Sequence, residues 1–473
     1  MSTFKFSQYR RYDAVGLAEL IANRDVTASD VLDVAIERLE EINPKLNAVV
    51  FKDYDRARSA ARSAKGPFAG VPFLLKDSND LAGAPTGWGS KTYQGMIAKQ
   101  SDTITQRYLD AGFVIFGKTN LPEFALVGAT EPKVTGPTRN PFNPQFTAGG
   151  SSGGSATAVA ASVVPAASAS DGGGSIRCPA SACALFGLKP TRARNPSGPV
   201  MGEGWQSLLA QHVVTRTVRD SAAILDVTHG WAPGDPYQVN PPARPFAQEV
   251  GADPGNLKIA LVTGYADFYE TDPACVNAAQ DAAKLLESLG HSVEVTTLPV
   301  RVQDMFDVLG RICTVWVRSM LQRQAKVLGR EIQQSDVEPI TWEMYNLAKS
   351  ITAVQYYDTI EEIHAICRKV APFFQKYQAL LTPGLGQVPV PLYTVDTSAT
   401  LAEAADALTK FCPFTTTFNI TGQPAAAIPF GWTSNNLPTS IQIVTPFGDE
   451  ATLFRLASQI ERHAPWAEHY DTV

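Results

Sequence analysis

Two glycine-rich segments place serines where backbone turns sharply: Gly149-Gly150-Ser151-Ser152-Gly153-Gly154-Ser155 and Asp171-Gly172-Gly173-Gly174-Ser175-Ile176-Arg177. A Gly/Ser run is most often a flexible linker. Here both segments abut apolar stretches of secondary-structure length, and the second runs on into Ile-Arg-Cys-Pro. Glycines beside such packing mark places where backbone approaches a ligand closely. A phosphate loop is the rival reading, but neither segment has GxxxxGK[ST] spacing or a GxGxxG placed after a strand. Successive N–H groups of Gly172, Gly173, Gly174 and Ser175 can converge on the oxyanion that forms when a carbonyl is attacked. Ser175 would be the attacking group, and a serine needs a base. None of the six histidines (212, 229, 291, 364, 463, 469) lies in either segment or has an evident Asp partner. A lysine serves if burial holds it neutral. Lys76 ends the buried-looking run Gly70-Val71-Pro72-Phe73-Leu74-Leu75; the plainer reading is a solvated strand-end lysine paired with Asp77.

Elements must hold these residues. Residues 13–22 read as a helix. A second follows Thr27, where Thr27 with Asp30 forms a capping box, and Leu32, Ala35, Ile36, Leu39 and Ile42 recur at helical spacing until Pro44 ends the pattern. Short apolar runs at 71–75, 114–116, 425–428 and 441–444 read as strands, with a helix at 103–111. The Pro/Gly-dense stretch 232–256 reads as a surface connection. Beyond it come a strand at 258–262, a helix at 273–289, a strand at 292–297 and a largely helical segment from 302 to 377. Strands alternating with helices predict an α/β fold, with a mixed, mostly buried sheet covered by helices on both faces.

The totals restrict the function. At 473 residues, a prior of roughly 150 per domain allows three units. The motif segments nevertheless recur from 70 to 460 without a polar break, favouring one domain over 1–473. Its core would span about 65–230 and 410–465, with a less regular, largely helical cap over 232–400. The net charge of −6 and the lack of a basic run argue against nucleic acid. The longest apolar stretch, Ala156 to Ala169, contains Pro165 and is too short to span a bilayer, so no membrane partner is expected. The start MSTFKFSQYRRYD has no apolar signal region, and a cytoplasmic protein is expected. Six scattered cysteines make no disulfide framework, and no His/Cys ligand spacing supports a metal. Hydrolysis without a metal or cofactor is the expectation.

The blocks GVPFLLKD (70–77), GGSSGGS (149–155) and DGGGSIRCPA (171–180) resemble, in order, the signature blocks of the amidase signature family. Lys76 precedes Ser151 by 75 residues and Ser151 precedes Ser175 by 24, the latter being that family's spacing between its paired serines. Further matches are AGFVIFGKTNLPEF (111–124), GLKPTR (187–192) and FNITGQPAAAIPFG (418–431). The resemblance implies the amidase signature fold and a Ser-cisSer-Lys triad. In it Ser175 attacks, the hydroxyl of Ser151, a residue flanked by a cis peptide bond, relays the proton, Lys76 is the base, and water releases the acyl-enzyme. Two departures stand out: Gly172 replaces the Thr, Ile or Ser often found after Asp171, and Gln211-His212-Val213 stands where many relatives have Gly-Pro.

Within that family, residues 311–349 are most similar to the 6-aminohexanoate cyclic-dimer hydrolases and bacterial aryl acylamidases. Expected pocket residues are Gly150, Ser152, Leu126, Met201, Trp205, Cys313 and Trp316, although Cys313 reads equally well as a small core residue. Phe124, Phe146 and Trp316 beside Leu126 suggest an apolar pocket. The expected substrate is therefore a small apolar or aryl amide or anilide, with carbamates, esters and nylon-type oligomers sharing the chemistry. A homodimer is allowed. The competing readings are a glutaminase subunit of a tRNA-dependent amidotransferase and an inactive binding or scaffold relative; intact Lys76, Ser151 and Ser175 weigh against the second.

Overall fold

The computed structural model describes residues 4–268, 270–395 and 397–472. Among these, eleven strands form one mixed sheet. They are β1 (Val49–Lys52), β2 (Pro72–Lys76), β3 (Val114–Thr119), β4 (Ala166–Asp171), β5 (Phe186–Lys189), β6 (Ala210–Thr215), β7 (Lys258–Leu261), β8 (Ser292–Val295), β9 (Ala379–Pro383), β10 (Ala425–Trp432) and β11 (Pro438–Val444). Their order is β1-β3-β2-β4-β6-β5-β10-β11-β9-β7-β8. β2 runs parallel to β3 and β4, and β7 parallel to β8 and β9, while the remaining pairs are antiparallel.

Successive residues of a strand face opposite sides of its sheet, and this alternation sorts the core in two. Ile259, Leu261, Ala379 and Leu381 join one apolar cluster with Leu286 and Leu453. Their neighbours Ala260 and Leu380 join a second, with Val308, Ile312 and Phe418 from helices. The sheet is thus covered by helices on both faces, as predicted. The 232–400 segment is less separate than its helical pattern suggested, because β7, β8 and β9 extend the same sheet.

The helix after Thr27 spans Ala28–Leu46 and therefore passes through Pro44, correcting the expected stop. Pro44 has no N–H and so forgoes one helical hydrogen bond, yet the helix continues for two more residues and the chain leaves it at Asn47, in the left-handed conformation, whose N–H donates to the Asn43 carbonyl.

Connectivity gathers the signature blocks. The parallel strands β2 and β4 end side by side in Lys76 and Asp171, and Asp171 pairs with Ala210 at the start of antiparallel β6. The 149–155 turn, the 171–175 turn and the 195–209 loop therefore meet at one edge, the carboxyl end of the strands, where open α/β sheets build their sites.

Candidate active site

Every residue of β2 is buried, as a strand covered on both faces must be, and this carries Lys76 to 0% exposure. Its backbone N–H donates to Ser168 Oγ at 2.7 Å. Its Nζ donates to Ser151 Oγ at 2.7 Å and to Ser170 Oγ at 2.9 Å. Burial pushes the ammonium down to about 7, against an opposing upward pull from the Asp171 carboxylate. A lysine so placed is readily neutral, and a neutral amine in contact with a hydroxyl can take its proton. Asp77 is not its partner: that carboxylate lies 3.8 Å from Lys118.

Ser151 follows a cis peptide bond, Gly150–Ser151, and is fully buried. The N–H of Ser152 donates to the Ser175 carbonyl at 3.2 Å, pinning the first glycine turn to the second. Ser175 is half-buried, and among the described residues its hydroxyl has no partner in the protein. Ser151, Ser170, Gly172 and Ser175 all open onto one cavity of about 510 Å³.

The 171–175 turn is held from below by an ion pair sealed from water. Arg177 donates to Asp171 through Nε (2.9 Å) and Nη2 (2.8 Å), and both side chains are 0% exposed. The guanidinium also reaches Asn419 Oδ1, Gln442 Oε1 and the Thr415 carbonyl. Burial alone would raise the Asp171 carboxyl, but Arg177 and Asn419 hold it down at about 2. Its oxygens accept from the N–H groups of Gly174 (2.8 Å) and Ile176 (3.2 Å). This corrects the expected donor set: Gly174 is spent on Asp171 and has φ +139°, leaving the N–H groups of Gly172, Gly173 and Ser175 without a protein acceptor among the described residues. Gly172 has a separate reason to be glycine, since a Cβ there would lie 2.5 Å from the Trp205 ring.

The structure places the expected pocket residues unevenly. Met201, Trp205 and Trp316 line the cavity, as does Phe124. Cys313 instead belongs to the buried apolar cluster of its helix, Val302–Leu328. Leu126 packs beside that cluster, off the wall. Gly150 is pressed against Ala129, and the Ser152 hydroxyl donates to the Ser170 carbonyl, so both support the turn from behind. Phe146 pairs with Pro391 at a backbone bridge. Trp88 and Tyr93 also line the cavity. Trp316 lies 5.9 Å from Trp88 and 5.6 Å from Trp205 between ring centroids, and Tyr93 meets Phe124 edge-on. Gln211, in the departing Gln-His-Val segment, is a wall residue too, and its Oε1 accepts from Asn79 Nδ2 at 2.7 Å. His212 beside it is buried against Ser221 and driven down to about 3 by burial.

Two of the residues missed by sequence reading had a signal. Ser168 and Ser170 stand two apart on β4 and so share a face, and both contact Lys76. Trp88 and Tyr93 had none, the first lying in irregular chain and the second ending the three-residue helix Lys91–Tyr93, too short to leave a periodic pattern.

The amidase family profile matches residues 30–454. The chain is 35% identical to the 6-aminohexanoate-cyclic-dimer hydrolase of Paenarthrobacter ureafaciens over 471 residues, covering 96% of this chain and 95% of that protein. A solved 6-aminohexanoate cyclic dimer hydrolase complexed with substrate superposes with a TM-score of 0.92 at 33% identity, covering 97% of this chain and 98% of that one. A bacterial aryl acylamidase of the amidase signature enzymes superposes with a TM-score of 0.90 at 28% identity, covering 98% of each chain. With its fold, its signature blocks and its relatives in agreement, the chain belongs to the amidase signature family and is a hydrolase of amide carbon–nitrogen bonds.

Proposed function

We propose that the chain hydrolyses small apolar or aryl amides and anilides through an acyl-enzyme on Ser175. Carbamates, esters and nylon-type oligomers fall within reach of the same chemistry. Neutral Lys76 takes the Ser151 proton, Ser151 takes that of Ser175, and Ser175 Oγ attacks the carbonyl carbon. The oxyanion is met by the N–H groups of Gly172, Gly173 and Ser175. The proton then returns through Ser151 to the leaving amine, and water releases the acyl group by the same relay in reverse. The Ser151–Ser175 hydrogen bond closes in the substrate complex, as catalytic contacts often do.

The observation that carries this reading is the buried Lys76 Nζ, 2.7 Å from Ser151 Oγ at the floor of the cavity onto which Ser175 opens. The substrate preference rests on the wall, where Trp88, Tyr93, Phe124, Trp205 and Trp316 offer apolar faces and ring edges to an acyl or aryl group. The reading requires no cofactor and no partner chain, and leaves open association into a homodimer.

The test is a panel of aliphatic amides, anilides, cyclic and linear 6-aminohexanoate oligomers, aryl carbamates and glutamine, offered to the purified chain alone. Hydrolysis of anilides with no partner present is expected. Activity confined to glutamine, or appearing only with added subunits, would favour the amidotransferase reading instead.

A further inference from the structure

Three aliphatic side chains stand in water around the mouth of the catalytic cavity. Ile97 is 55% exposed, Val200 67% and Val327 61%, and all three border the cavity that holds Ser175. They come from separate stretches of chain: the segment after the short helix Lys91–Tyr93, the 195–209 loop, and the last turn of the helix Val302–Leu328. Single exposed aliphatic residues are ordinary, but three converging on the rim of one cavity mark a surface that an apolar group covers. Met96, Met201 and Met320, three of the six methionines in the chain, line the same cavity. Their unbranched, polarizable side chains mould to apolar partners of varied shape. Four charged residues share this lining: Arg323 folds back to donate to Ser319 Oγ at 3.1 Å, Asp102 accepts from the Asp80 N–H at 2.9 Å, and Asp80 and Glu203 stand on the wall.

The cavity, about 510 Å³, has room for much more than the reacting amide group. A compact substrate would fill the aromatic floor and leave the rim in water. Resting on the reading that Ser175 attacks an amide, we propose that the preferred substrate carries an extended apolar chain. The chain runs from the reacting amide, on its acyl or its amine side, past the methionines and across Ile97, Val200 and Val327. Binding energy gathered there, remote from the scissile bond, is available to position the carbonyl over Ser175.

The experiment measures kcat/KM for two homologous series below their micelle-forming concentrations. One is of acyl p-nitroanilides from acetyl to decanoyl, the other of N-alkyl acetamides from methyl to decyl. Burying a methylene is worth about fourfold, so a rise of about two- to fourfold per methylene is expected in at least one series until the chain has crossed the rim. In the triple variant Ile97→Ser, Val200→Ser, Val327→Ser, the ratio of longest to shortest substrate should fall at least about tenfold. Taking the ratio within each enzyme cancels any general loss of activity. Flat or falling dependence in both series would overturn the inference while leaving the proposed function standing; inactivity on every member would defeat both. A triple variant that keeps the wild-type slope would also overturn it.

Discussion

Lys76 has two hydroxyl partners and one distant carboxylate, which is little compensation for a charge held at 0% exposure. Because the base must be neutral, activity should fall about tenfold per pH unit below about 7 and level off above it, the value to which burial has pushed the group. A profile that falls with rising pH through neutrality would count against Lys76 as base. Ser170 sharpens the point. Its hydroxyl accepts from Nζ and so favours the ammonium. Ser170→Ala should therefore move the acid limb of the profile to lower pH while reducing kcat about tenfold through looser positioning of the amine; an unchanged limb would show that the contact is idle. At this scale Ser175 and Lys76 were legible as candidates, because a serine nucleophile needs a base and no histidine stood near, whereas the part given to Ser151 came from the family resemblance. Cys313 and Leu126 were not, because whether a helical or loop residue faces a cavity or its own core depends on packing that no local pattern records.

At the scale of elements, the Asp171–Arg177 pair joins the end of β4 to Thr415, Asn419 and Gln442, fixing the turn from which Ser175 projects. Asp171→Asn would leave a guanidinium buried without its counter-charge, and denaturant unfolding should register a loss of about 3–5 kcal/mol. The native pair should also make stability sensitive to acid. The Asp171 carboxyl is held at about 2, below its unfolded value, so its contribution is present above about 4 and is lost as pH falls toward 2. Asp171→Asn should therefore flatten the acid limb of the stability curve, and an unaltered limb would contradict this assignment. Gly172→Ala drives a Cβ to 2.5 Å from Trp205 while keeping the backbone N–H. The expected cost is about 10- to 100-fold in kcat/KM, larger for aryl than for small aliphatic amides because the displaced ring belongs to the pocket. Equal losses on both would place the effect in the oxyanion turn alone. Elements with long periodic or uniformly apolar patterns were legible, among them β2, β3 and the Ala28–Leu46 helix. β9 was not, being five residues at the close of a helical stretch and recognisable as a strand only through its pairing with β7 and β11.

At the scale of the molecule, the chain brings three distant segments to one edge by ordering its strands so that β2 and β4 are parallel neighbours and β6 returns beside them. The two-faced sheet follows from alternation within strands, so the α/β class was legible while the strand order was not, since pairing across hundreds of residues leaves no local trace. Among the described residues, no helix is long and apolar enough to cross a membrane. The central claim is that this architecture exists to activate one hydroxyl. Its most direct test is turnover of p-nitroacetanilide by Ser175→Ala, compared with wild type at matched thermal stability. The account predicts a fall of at least about 10⁴-fold; turnover at the wild-type rate would contradict it.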